Sequence, residues 1–353
     1  MDFTFSEEQR MMAAALRELS EDVCAPQRLR ELFDGRDAGA EQRWTRLAEM
    51  GLFGVRAPEA SGGLALQDAD FILLAEESGR AALPEPLVEQ AALAVPALAE
   101  LIDEPAAAEV LPALAVGRAR VAVTHPQNVR ASVPPGVTHW LLCTADTTTL
   151  AQAGEVSAVA TPSVDAGRRL FEPASVRGEA KTLARGTRAR QVAARLLNRG
   201  AVFTAAQCLG LTERMLGLTA EYAKERTQFG KPIGAYQAIK HQLASVAVKL
   251  EFARPVVYAA VTRLEHDGPH ADVAASHAKL AAVAAADLAA RTGIQVHGAM
   301  GYSWEVDLHF YMKRAWALAG SWGDHNFHAR RVQTLVCDGA LALGPDQTFA
   351  RTA

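Results

Sequence analysis

The sequence predicts a mainly α protein built in three zones, helical, then β, then helical again. Apolar residues recur at helical spacing up to about Val116. Short β-type runs alternate with turn residues from about Arg118 to Arg185. Long apolar stripes resume at about Thr187. The expected division is an N-terminal helical domain over 1–116, a short middle β domain over 117–185 and a C-terminal helical bundle over 186–345.

In the first zone Leu16, Leu19 and Val23 recur at i, i+3 and i+7, and Ser6 ahead of Glu7 and Glu8 supplies a helix start. Pro58 and Gly62-Gly63 mark a loop between helices. In the second zone VAVT (121–124), THWLLC (138–143) and VSAVAT (156–161) read as strands, with turns at Pro134-Pro135-Gly136, Gly154 and Gly167. In the third, Ala205, Leu209, Leu216 and Ala220 form one apolar stripe. Ile239, Leu243, Val246, Leu250, Ala253 and Val257 form a second, and Leu280, Ala284 and Leu288 a third. Pro255 lies inside the second and should kink that helix or end its first half. Three or four long helices with short connections form a bundle.

A chain of 353 residues has room for two or three domains with substantial cores. It is 50% hydrophobic and 22% charged, with a formal net charge of -4. That balance leaves no electrostatic footprint for nucleic acid and no polybasic patch for a membrane. Glu100, Asp103, Glu104 and prolines interrupt the alanine-rich run 91–116 well short of the roughly 20 apolar residues a membrane span needs. The first residues carry acids and no basic flank, unlike a signal peptide. Cys24, Cys143, Cys208 and Cys337 lack CxxC spacing and read as buried thiols in a reducing compartment, with the cytoplasm as expected location.

Two stretches and one loop hold candidate chemistry. Glu225-Arg226-Thr227-Gln228-Phe229-Gly230-Lys231-Pro232 closes one helix at Gly230 and restarts the next after Pro232. It sets a guanidinium fork beside an amide, suited to phosphate oxygens; equally, it reads as an ordinary solvated loop. Gln295-Val296-His297-Gly298-Ala299-Met300-Gly301 ends the third stripe with two glycines that admit close backbone approach to a ligand, or that simply cap a helix. The loop Trp322-Gly323-Asp324-His325 carries one acid at a helix start. His309, His325 and His328 with Asp324 do not complete a zinc ligand set, so no metal is expected.

Together these stretches resemble the acyl-CoA dehydrogenase family, the FAD-dependent enzymes that introduce an α,β double bond into acyl-CoA thioesters. MDFTFSEEQRMM resembles the family's opening helix, and LAEMGLFGVRAPEASGGLALQDADFILLAEESGRAALPEPL its glycine-containing loop and following helix. LPALAVGRARVAVTHP matches the start of the middle β domain. EYAKERTQFGKPIGAYQAIKHQLA and GIQVHGAMGYSWEVDLHFYMKRA match in sequence and in spacing. The resemblance implies a C-terminal four-helix bundle and a dimer of dimers, homo- or heteromeric. It also implies an acyl-CoA substrate with a bulky or functionalised acyl group, and an electron-transfer flavoprotein as acceptor. Arg226, Gln228 and Phe229 then correspond to residues holding the FAD of a neighbouring subunit. Gln295, Gly298 and Gly301 correspond to a second cross-subunit segment near its adenosine half, and Thr124 to the wall around this chain's own flavin.

The departures concern that wall and the base. The sequence resembles short members with a reduced middle domain. Thr124-His125-Pro126 carries His125 where the family has glutamate, and the Gly-Ser-Asp and Trp-Ile-Thr segments have no clear counterpart. The family's catalytic glutamate falls on Gly323, and the alternative base position falls near Gly200. Asp324 is the one acid near enough to replace it, and it reads equally as a helix cap. The expected function is therefore an FAD-dependent acyl-CoA dehydrogenase with Asp324 as base. The alternative is a non-catalytic subunit completing the flavin site of a paralogue. A flavin oxidase or monooxygenase on the same fold stands third.

Overall fold

The structure, a computed structural model, describes residues 4–37, 39–266, 268–339 and 341. Residues 1–3 of the expected opening motif and 342–345 of the expected bundle lie outside the described residues.

Helix α1 (Glu7–Val23) starts where Ser6 predicts. The Ser6 hydroxyl accepts the Gln9 N–H at 3.2 Å, and the Gln9 side chain accepts the Ser6 N–H at 2.8 Å. This reciprocal capping box satisfies two donors that a helix start leaves orphaned. Its Leu16, Leu19 and Val23 are buried. Helices α2 (Pro26–Phe33) and α3 (Ala40–Glu49) follow, and the Pro58–Gly63 loop leads to α4 (Asp68–Arg80). A π-helical stretch (Val88–Ala94) runs into α5 (Val95–Glu100), and α6 (Pro105–Ala115) closes the zone.

The strands β1 (Val121–Thr124), β2 (Ala131–Ser132), β3 (His139–Cys143), β4 (Thr147–Gln152), β5 (Val156–Ala160), β6 (Leu170–Val176) and β7 (Lys181–Arg185) form two sheets. One has the order β1-β3-β4-β7, with β1 parallel to β3 and the remaining pairs antiparallel. The other is the antiparallel β2-β6-β5. Trp140 packs with Ala122, Ala131 and Val133 in a small core of their own.

The bundle consists of α7 (Gly186–Glu225), α8 (Gln237–Val261), α9 (Pro269–His297) and α10 (Leu308–Ala319), followed by α11 (His325–Val332). Helix α9 packs along both α7 and α8. Asp68 on α4, fully buried, pairs with Arg199 of α7 at 3.1 Å and Arg56 at 3.0 Å, which ties the N-terminal helices to the bundle. Among the described helices only the segment containing α9 is long and apolar enough to cross a membrane by length and composition.

Three expectations need correction. Pro255 does not end its helix, because α8 continues through it. It lies on the solvent side, where the backbone groups it leaves unpaired can meet water. The third stripe is inverted: Ala275, Ala278, Ala282, Ala285 and Ala289 are buried, while Leu280 and Leu288 are half-buried and Ala284 is exposed. Alanines let α9 approach its neighbours closely, and a leucine face would hold it off. Cys24, Cys143 and Cys208 are buried as expected, but Cys337 is exposed on the last turn.

Candidate functional site

At one end of the bundle α7 stops at Glu225, with Arg226 extended, rather than at Gly230. Thr227–Gln228 (β8) pairs with Lys231–Pro232 (β9), and Phe229 (φ 50°) and Gly230 (φ 81°) form the turn between them. Two positive-φ residues between paired strands are what a tight hairpin requires, so Gly230 belongs to a hairpin turn and not to a helix cap. Tyr236 donates its hydroxyl to the Gln228 carbonyl at 3.2 Å, with the Lys231 ammonium 4.4 Å over its ring. The Gln228 amide donates to the Thr227 carbonyl at 2.8 Å. Phe229 is 94% exposed, and Arg226 has no ion pair among the described residues.

The second motif reaches the same place. The Tyr222 ring stacks on His297 at 4.2 Å, and its hydroxyl donates to the His297 carbonyl at 3.4 Å. Burial keeps the His297 imidazole below its ordinary pKa, against a bond to the Gly293 carbonyl that acts the other way. Gln295 and Gly298 are exposed beside it, with Tyr302 and Trp304 flanking. Gly301 is buried, and a Cβ there would come within 2.8 Å of the Ile294 carbonyl. Arg226, Gln228, Phe229, Gln295, Gly298 and Gly301 thus gather at one exposed end.

Thr124 and Asp324 lie elsewhere, where the middle sheets meet the loop after α10. Thr124 is buried at the end of β1. In the loop, Trp322 (φ 57°) and Gly323 (φ 95°) both take left-handed backbone. Lys279, fully buried on α9, donates to the Leu318 carbonyl at 2.9 Å and to that of Ser321. The Trp322 N–H donates to the Asn128 side chain at 3.2 Å and the Gly323 N–H to the Gln127 carbonyl at 3.1 Å. His328 must donate from Nε2 to the Trp322 carbonyl at 2.9 Å, which leaves Nδ1 to accept the Ser276 hydroxyl at 3.0 Å. That arrangement needs a neutral ring, and burial pushes the His328 pKa down to about 4. Burial likewise lowers His125 to about 4, and its Nδ1 accepts the Gln127 N–H at 3.0 Å. Burial also pushes Lys279 down to about 8.

Trp322 is itself buried, with its indole seated on Gly200 of α7. A Cβ built at position 200 would lie 2.2 Å from that ring. A Cβ at 323 would lie 2.7 Å from both His328 and Phe327. A glutamate therefore fits neither position where the resemblance would place one. Asp324 is exposed at the N-cap of α11, and its carboxylate accepts the Phe327 N–H at 2.8 Å. It also borders a cleft of about 380 Å³ between the middle domain and this loop. The histidines do not converge: His325 is exposed, whereas His309 packs between Phe33 and Trp304.

The sequence gives little sign of Gln127, Asn128, Arg168 and Lys279, which hold this loop. Lys279 shows only as one cation in an apolar helix, where a solvated face is the ordinary expectation.

Comparison with known proteins follows the same division. The families described as acyl-CoA dehydrogenase, N-terminal domain and C-terminal domain match residues 6–118 and 189–334. The chain is 32% identical to the acyl-CoA dehydrogenase IpdE2 of Mycobacterium tuberculosis over 88% of its own length and 91% of that protein's. It is 30% identical to the acyl-CoA dehydrogenase FadE34 of the same organism, over 94% of this chain and 48% of that one. Among solved structures, the Tcur3481-Tcur3483 steroid ACAD G363A variant superposes with a TM-score of 0.82 at 26% identity, over 95% of this chain and 99% of the other.

Proposed function

The chain belongs to the acyl-CoA dehydrogenase family, oxidoreductases acting on acyl-CoA with FAD as cofactor, and on that premise we propose that it is a flavin-completing subunit of a two-chain dehydrogenase, silent in that it lacks a base of its own. The observation that carries the reading is steric. Gly200 and Gly323 are closed to any side chain, and the loop between them is tied down by Asn128, Gln127, Lys279 and His328. Asp324 is the one acid of that loop, and its carboxylate serves as a helix cap.

The hairpin end has the opposite character. Arg226 offers a pyrophosphate a fork with no ion pair among the described residues, Phe229 an exposed ring, and Gln295 and Gly298 an amide and open backbone. These residues fit a dinucleotide held mainly by a neighbouring subunit. FAD, when bound there, takes up the electrons removed as the acyl group gains its double bond. This chain's residues bind and orient it, and the partner supplies the base. Likeness to the Tcur3481-Tcur3483 steroid ACAD, which is named for two chains, supports a heteromeric assembly and a bulky, ring-bearing acyl-CoA. An electron-transfer flavoprotein then serves as acceptor.

A second reading keeps Asp324 as base, because it borders the cleft. One variant separates the two. Asp324→Asn keeps the cap and removes basicity, so the silent-subunit reading expects unchanged turnover in the assembly with its paralogue, and half as many flavins as chains. A fall of roughly 10²–10⁴-fold with FAD retained is what loss of a general base gives, and it would overturn the proposal.

A further inference from the structure

The cleft beside the 320–324 loop has a cation that nothing in the described chain fully matches. Arg168, on the turn ahead of β6, lines the cleft with Gln127, Asn128, Ser163 and Ser321. Its side chain is only 5% exposed. One nitrogen donates to Ser321 Oγ at 3.1 Å, and the nearest carboxylate, Glu89, stands 3.9 Å away, too far for a hydrogen bond. A guanidinium has five N–H donors, so most of its capacity is unmet. The neighbouring charges are already engaged. Asp165 takes Arg314, Lys279 is held by two carbonyls, and Asp324 caps α11. Three buried cations (Arg168, Arg314, Lys279) thus face two buried carboxylates (Asp165, Glu89). Arg168 has no nitrogen among the fully buried atoms that lack a partner, so its unbonded N–H groups open onto the cleft, where a cation so little exposed gains most from a hydrogen-bonded counter-charge.

The cleft does not suit a flavin ring. No aromatic side chain lines it. The Trp322-to-Asn128 and Gly323-to-Gln127 hydrogen bonds join the middle domain to the bundle, where a flat ring would have to enter.

We infer that this cleft binds an oxyanion, a carboxylate or a phosphate borne by a ligand other than flavin, with Arg168 as its anchoring residue. Planar forks pair with such groups through two parallel hydrogen bonds; the Ser163 hydroxyl, which only accepts the Asp165 N–H, can add a third donor, and that of Ser321 can do so by leaving its long 3.4 Å bond to the Ala317 carbonyl. The inference stands whether or not the hairpin end lends itself to a partner's flavin, since it uses none of those residues.

Calorimetric titration of the purified assembly with glutarate and with pyrophosphate, at matched ionic strength, tests it. Saturable binding of at least one probe is expected, weakened roughly tenfold to a hundredfold in Arg168→Gln and partly restored in Arg168→Lys. Tighter glutarate assigns a carboxylate-bearing acyl tail, and tighter pyrophosphate a phosphate-bearing ligand. Arg226→Ala should leave probe binding unchanged while lowering flavin content, so failure of the flavin reading shows up separately. Absence of saturable binding, equal binding in Arg168→Gln, or displacement of the probe by FAD overturns the inference. Should Arg168→Gln fail to assemble, Ser163→Ala combined with Ser321→Ala takes its place: weakened binding supports the inference, and unchanged binding overturns it.

Discussion

The loop end and the hairpin end of this molecule are built from similar parts, glycine-bearing helix termini with a left-handed aromatic residue, yet they stand in opposite states. At the loop end Trp322 is buried, and the backbone around it is satisfied from four directions. At the hairpin end Phe229 has almost the same φ and is 94% exposed. A non-glycine residue in this region costs of order 1–3 kcal/mol and persists only where its surroundings or its use require it. Inside the loop the surroundings suffice. On the hairpin the tight turn between β8 and β9 sets that backbone, and what is left over is the exposed Phe229 ring, whose use the described chain does not supply.

That contrast breaks most directly at Trp322. Trp322→Ala empties the notch on Gly200 and should destabilise the fold by about 3–5 kcal/mol in chemical denaturation. A loss below about 1 kcal/mol would mean that the loop is not held by packing. Acid probes the same end. His125 and His328 sit at about 4, below their ordinary 6.5, so the unfolded chain binds more protons between those values. Their stabilisation is complete above 6.5 and drains away as the pH falls towards 4, at a limiting slope of roughly 2–3 kcal/mol per pH unit for the two. Equal stability at about pH 7 and about pH 5 would contradict it, and hydrogen exchange should show the loop opening before the hairpin. Asp324→Ala should cost about 1 kcal/mol as a lost cap, with Asp324→Asn near neutral. Smallest in stability is Arg226→Ala, within about 0.5 kcal/mol because the side chain makes no ion pair among the described residues. Its flavin retention should nonetheless fall roughly tenfold to a hundredfold, as loss of a charge-assisted contact implies.

Local signals in the sequence explain what is legible there. Ser6, the VAVT run and the Val246-Leu250-Ala253-Val257 stripe each carry their structure in a few neighbouring residues. Four strands carry no such signal. β2 has two residues, β6 contains Pro173, β7 is five residues with a cation at each end, and half of β4 is threonine. Their pairing is decided by partners far along the chain. The Leu280, Ala284, Leu288 stripe misleads because residue size is a poor guide to burial where close helix contact selects the alanines. The hairpin end is legible through the resemblance, whose two motifs match in sequence and spacing, whereas its residues alone read equally as a solvated loop and a helix cap. The loop end is not, since Asn128 meets Trp322 across 194 positions and Lys279 meets Leu318 across 39.

Helix α7 runs unbroken from Gly186 to Glu225 and works as a ruler between the two ends. From Gly200, which receives Trp322, to Arg226 it spans about 39 Å, at roughly 1.5 Å of rise per residue. No side chain bridges that distance, and sites so far apart without shared partners change energy independently, within about 0.3–0.5 kcal/mol. A double-mutant cycle between Trp322→Ala and Arg226→Ala should therefore close. The same spacing gives a lineage freedom to remodel one terminus of the rod over generations while the other keeps its sequence, its shape and its clientele.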